Sequence, residues 1–132
     1  MKEFKVGDEI QVIKEITEEN IKAFSLLSGD INPIHLDDKK INKKYHKKKI
    51  AHGMYLASLF SALIGVELPG NGTIYISQSF NFTKPIYVGS TVKLNVKIKK
   101  IIVDFAILET NCYDLKGDLL IEGEAKVVLP EY

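Results

Sequence analysis

From Thr73 to Leu129 the apolar residues follow a two-residue period, and the rest of the chain has to be folded against that pattern. The clearest run is Val92, Leu94, Val96 and Ile98, which alternate with Lys93, Asn95, Lys97 and Lys99. Successive side chains of a strand point to opposite faces, so this run reads as a strand with one face on a core and the other in solvent. Similar extended runs cover Thr73 to Phe82, Phe105 to Tyr113 and Leu119 to Leu129. Gly89 supplies the turn before the strand that starts near Thr91, and Lys116-Gly117-Asp118 the turn between the last two. Four successive half-buried strands need an apolar partner to lie on.

The partner is the segment from Gly53 to Glu67, stopped by Leu68-Pro69-Gly70. Its residues are apolar nearly all round, which predicts a helix buried on every side. Ahead of it, Asp8 to Lys14 reads as a first strand, and Thr17 as the N-cap of a helix with Glu18 and Glu19 where the helix dipole favours acids. Ile21, Phe24 and Leu27 give that helix an apolar stripe, and Gly29 closes it. One strand, a central helix and four further strands make an α+β domain, a single hot dog fold over residues 1–132 whose antiparallel sheet wraps one long helix. Its open edge and exposed face predict pairing into a dimer.

Composition narrows the function. Eighteen basic and 17 acidic residues leave a formal charge of +1, which gives no reason to expect nucleic acid. The start, MKEFKVGDEI, lacks the apolar stretch of a signal peptide, and the apolar run from Met54 to Val66 is too short for a membrane span, so no membrane is expected. The one cysteine, Cys112, can form no intramolecular disulfide and suits a reducing cytoplasm. Charge is concentrated in Lys39, Lys40, Lys43, Lys44, Lys47, Lys48 and Lys49, either a solvated face or a phosphate-binding rim.

The chemistry-bearing segment is Ser28-Gly29-Asp30-Ile31-Asn32-Pro33-Ile34-His35. Pro33 disfavours the helical conformation in Asn32, so the segment is an ordered loop. A carboxylate and an imidazole five residues apart can converge on one water molecule, as general acid–base chemistry requires. Taken alone, the pair reads more readily as a turn cap at Asp30 and a satisfied polar histidine at His35. Gly53, eighteen residues after His35, opens the central helix, where its N–H is an unpaired donor at the positive end of the helix dipole. That is a backbone oxyanion hole open to close approach, or a glycine required for tight helix–strand packing.

Asp30-Ile31-Asn32-Pro33-Ile34-His35 followed by Ile50-Ala51-His52-Gly53-Met54 resembles the paired signature of the MaoC-like, R-specific enoyl-CoA hydratases. The resemblance extends through Leu56-Ala57-Ser58-Leu59-Phe60-Ser61, Leu68-Pro69-Gly70 and Ser79 to Ile86. It implies a homodimer or higher homo-oligomer with no metal and no organic cofactor, acting on an acyl-CoA thioester. By position it implies Asp30 and His35 as the catalytic pair, Gly53 as the oxyanion donor, Asn32 as a brace and Ser61 as a supporting polar residue. The chain departs from the family at Lys49, where many members carry arginine, and at His46, where an aromatic residue is common. Lys49 is a candidate phosphate contact, and Phe60 and Ile64, on the helix face that carries Gly53, are candidates to bound the acyl pocket. His52 is expected to order the loop. A 3-hydroxyacyl-acyl-carrier-protein dehydratase with the reverse direction, and a non-catalytic acyl-CoA-binding hot dog module, are the competing readings.

Overall fold

The computed structural model describes residues 3–131; residues 1, 2 and 132 of the expected single domain lie outside the described residues. The first strand, β1 (Glu9–Glu15), leads into helix α1 (Glu18–Ser28). Thr17 caps that helix by accepting the Asn20 N–H at 3.1 Å, and Gly29 ends it in the left-handed conformation that glycine adopts without strain. The central helix α2 (Gly53–Ala62) continues into a π-helical turn over Leu63–Glu67, so the periodic segment keeps the predicted limits but loosens in its last turn.

Strands β2 (Ile74–Phe82), β3 (Thr91–Ile102), β4 (Phe105–Asp114) and β5 (Leu119–Val128) join β1 in one antiparallel sheet of order β1-β3-β4-β5-β2. This is the hot dog arrangement. β2 pairs with β5 alone among the described strands. The inward row Val92, Leu94, Val96 and Ile98 is buried and shares one core with Leu56 and Phe60 of α2, with Ile64 of the π-helical turn, and with Leu108, Ala125 and Val127. Burial of this apolar surface is the main driving force for the fold.

Three expectations fail for definable reasons. The central helix is not buried on every side: Met54 and Val66 are 60% and 62% exposed, because one sheet covers only one side of a helix. Leu27 is 87% exposed, since the stripe of α1 that meets the core runs through Ile21 and Ser25. Asn95, on the outward face of β3, is buried at 5% exposure, and its Oδ1 meets no donor among the described residues.

Candidate active site

The loop after α1 is held by its own side chains. Asp30 accepts the Asn32 N–H at 3.3 Å, and Asn32 accepts the Ile34 N–H at 3.3 Å, capping the short 3₁₀ turn Pro33–His35. These bonds set the loop backbone from which Asp30 and His35 project. The His35 Nδ1 lies 2.7 Å from the Ile50 carbonyl. A carbonyl can only accept, so Nδ1 carries a proton, and in the neutral ring Nε2 presents a lone pair. That Nε2 stands 3.9 Å from Asp30 Oδ2, too far for a direct hydrogen bond and spaced for a bridging water. The carboxylate is half-exposed while the imidazole is buried.

His52 closes the group from behind. Its Nε2 lies 3.1 Å from the Asp30 carbonyl and 2.9 Å from Ser25 Oγ. Its ring is stacked on His35 with centroids 3.9 Å apart. Burial pushes its pKa below the ordinary histidine value, and neighbouring His35 pushes the same way. Asp30, His35 and His52 each place one donor atom within 4.8 Å of the others, the only such trio among the described residues.

Gly53 follows directly, as the first residue of α2, with its N–H outside the helical ladder. A Cβ built there would lie 2.8 Å from the Phe82 ring, so only glycine lets Phe82 pack this closely. Asp30, His35, His52 and Gly53 line one cavity of about 410 Å³, completed by Ile50, Ala51, Met54, Leu56, Phe82, Lys84, Pro85, Ile86 and Ile121. The arrangement offers a water site between a carboxylate and an imidazole, a backbone donor beside it, and apolar walls beyond.

The structure therefore brings Asp30, His35 and Gly53 together and leaves the other candidates outside the cavity wall. Asn32 braces the loop. Lys49 forms an ion pair with Glu18, and its N–H reaches Asp38 Oδ1 at 2.9 Å. Phe60 and Ile64 are buried in the core, behind Leu56 on the same helix face, and Ser61 is exposed. The lysine-bearing loop, residues 36–49, leaves the cavity wall at His35 and rejoins it at Ile50. Inside that loop His46 is buried, accepting the Asn42 N–H at 3.1 Å and donating to the Lys48 carbonyl at 3.1 Å. Phe82, Lys84 and Ile121 line the cavity in addition to the sequence candidates. Phe82 and Lys84 lie in the recognisable segment Ser79 to Ile86, whereas nothing local marks Ile121.

The MaoC like domain profile matches residues 5–114. The chain belongs to the MaoC-like domain family. This MaoC-like chain is 40% identical over 127 residues to the (R)-specific enoyl-CoA hydratase of Aeromonas caviae, covering 95% of each. It is 37% identical over 119 residues to the 3-hydroxybutyryl-CoA dehydratase of Methylorubrum extorquens, covering 89% of this chain and 76% of that one. The solved (R)-hydratase from A. caviae, involved in PHA biosynthesis, superposes with a TM-score of 0.92 at 38% identity, over 98% of this chain and 100% of the other.

Proposed function

We propose that this MaoC-like chain is, as a single hot dog domain, an R-specific enoyl-CoA hydratase, a hydro-lyase that adds water reversibly to short trans-2-enoyl thioesters of coenzyme A. The observation that carries the reading is the 3.9 Å gap between Asp30 Oδ2 and His35 Nε2 in the same cavity as the free N–H end of α2. Its relatives named as (R)-specific enoyl-CoA hydratase and 3-hydroxybutyryl-CoA dehydratase support it.

Water held between Asp30 and His35 loses a proton to the pair as its oxygen bonds to C3 of the enoyl group. The displaced π electrons move to the thioester oxygen, where the Gly53 N–H stabilises the developing enolate. The enolate then collapses as C2 takes a proton from the same pair, giving the 3-hydroxyacyl thioester. Asp30 serves as principal base and His35 as co-holder of the water. Asn32 keeps the loop in place, and the acyl tail runs past Leu56 towards Phe60 and Ile64.

A second copy of the chain covers the exposed apolar groups of α2, of the π-helical turn and of edge strand β2, Met54, Val66, Ile74 and Ile76. Among the described residues no helix is long and apolar enough to cross a membrane. The lysine-bearing loop that springs from the cavity wall favours a polyanionic carrier on the substrate, so an acyl-carrier-protein thioester is the alternative to coenzyme A.

Loss of enoyl-thioester absorbance with crotonyl-CoA, crotonyl-carrier protein and crotonyl-pantetheine, followed by chiral chromatography of the product, tests the reading. Turnover of crotonyl-CoA to the R-3-hydroxy product supports it. An S product or no turnover refutes it, and turnover of the carrier-protein ester alone replaces the carrier.

A further inference from the structure

His52 is buried at 2% exposure beside the catalytic pair, yet the hydration steps leave it without a role. Its contacts reach both members of the pair. Nε2 approaches the Asp30 carbonyl at 3.1 Å, and because a carbonyl can only accept, the single proton of the neutral ring sits on that nitrogen. Ser25 Oγ, 2.9 Å away on α1, shares it. Nδ1 is buried with no donor or acceptor around it among the described residues, so a second ring proton would be left unpaired. Burial, which lowers the pKa of His52, acts in the same direction.

The ring face lies on His35, with centroids 3.9 Å apart and planes inclined by 31°, and the edge of Phe24 holds the ring at 4.9 Å. The backbone of the same residue starts α2, its carbonyl accepting the Tyr55 N–H at 3.1 Å. One residue thus touches the carboxylate loop, the imidazole and the helix end that carries the Gly53 donor. We propose that His52 is a positioning residue for the catalytic pair: a neutral, Nε2-protonated imidazole that ties the Asp30 backbone to the start of α2 and backs the His35 ring. A proton gained by His35 during turnover then faces a neutral aromatic surface in place of a second cation. The proposal rests on the hydratase reading for its kinetic consequence but not for its structural one.

Two variants separate the contacts. His52→Phe keeps a ring against His35 and removes the donor, whereas His52→Gln keeps an N–H within reach of the Asp30 carbonyl and removes the ring. With crotonyl-CoA, His52→Phe should lower kcat by at least 30-fold with KM changed less than threefold, and His52→Gln should regain at least tenfold of that loss. A merely structural histidine would move the melting temperature and leave this order absent. Nitrogen-15 NMR of the wild-type imidazole, which needs neither substrate nor variant, should show the proton on Nε2. A proton on Nδ1, a His52→Phe enzyme retaining more than a third of wild-type kcat, or a Gln variant no better than Phe would each overturn the proposal. Wild-type inactivity would sink the hydratase reading and leave the tautomer measurement to decide the positioning role.

Discussion

Gly53→Ala separates the two reasons a glycine can open α2. The new Cβ would stand 2.8 Å from two carbons of the Phe82 ring, where carbon pairs settle at roughly 3.5–4.0 Å, so the ring must retreat by about 1 Å. Phe82 is 47% exposed and has room to swing outward, which places the overpacking cost near the low end of about 1–3 kcal/mol. Reduced freedom of the unfolded chain offsets about 0.4–1 kcal/mol of it, so the urea midpoint should move little. Turnover should fall far more, because the backbone N–H survives but the new methyl group stands where the thioester must approach it, and an oxyanion donor kept from its oxygen costs about 2.7–4 kcal/mol, or roughly 100- to 1,000-fold in kcat. The double variant with Phe82→Ala removes the clash and keeps the methyl group. If packing were the only demand on Gly53, the double variant would match Phe82→Ala alone in enoyl-CoA turnover. That result, or a Gly53→Ala enzyme keeping more than a tenth of wild-type kcat, would refute the close approach of the thioester to this N–H.

Asp30→Asn and His35→Gln should each lower crotonyl-CoA turnover by at least about 100-fold, with unchanged far-ultraviolet circular dichroism. Replacing Lys47, Lys48 and Lys49 together by Gln should raise KM for coenzyme A thioesters at low salt while kcat holds, and most of the effect should come from Lys47 and Lys48, since Lys49 is already paired with Glu18. The wild type should prefer acyl chains of four to six carbons, because Phe60 and Ile64 fill the core beyond Leu56. Ile64→Ala should cost about 2–5 kcal/mol in stability and raise the specificity constant for octenoyl-CoA relative to crotonyl-CoA several-fold. Cys112 is fully buried and its thiol is pushed up to about 12, so it should resist an aromatic disulfide reagent at pH 8 until urea unfolds the chain.

Features set by neighbours in sequence could be read before the structure. The Thr17 cap, the left-handed Gly29, the strand alternation about Val92 to Ile98 and the turn at Gly117 all arise within a few residues. The Asp30-to-His35 loop belongs with them, because Asn32 and Pro33 shape it locally. What escaped depends on distant partners. Whether Leu27 or Ser25 of α1 faces the core is decided by where the sheet lies, and Asn95 stands in register between Gln11 of β1 and Asn111 of β4. Ile121 reaches the cavity from the last strand, and Phe82 meets Gly53 across a gap of 29 positions, so neither contact leaves a periodic trace. His52 was legible as a residue beside the helix start, but its stack on His35 was not.

The strand order also imposes a schedule. β2 is made before β3, β4 and β5 yet, among the described strands, pairs with β5 alone, whose last paired residue is Val128. On a translating ribosome adding about 5–20 residues per second, the edge strand therefore waits several seconds with its hydrogen-bonding groups unclaimed. Phe82 and Ile121, from these two strands, form part of the cavity wall, so catalytic competence arrives with the final strand rather than building up along the way. During that interval the nascent chain exposes Ile74 and Ile76 beside an open edge, the form in which such a protein is most in need of a chaperone.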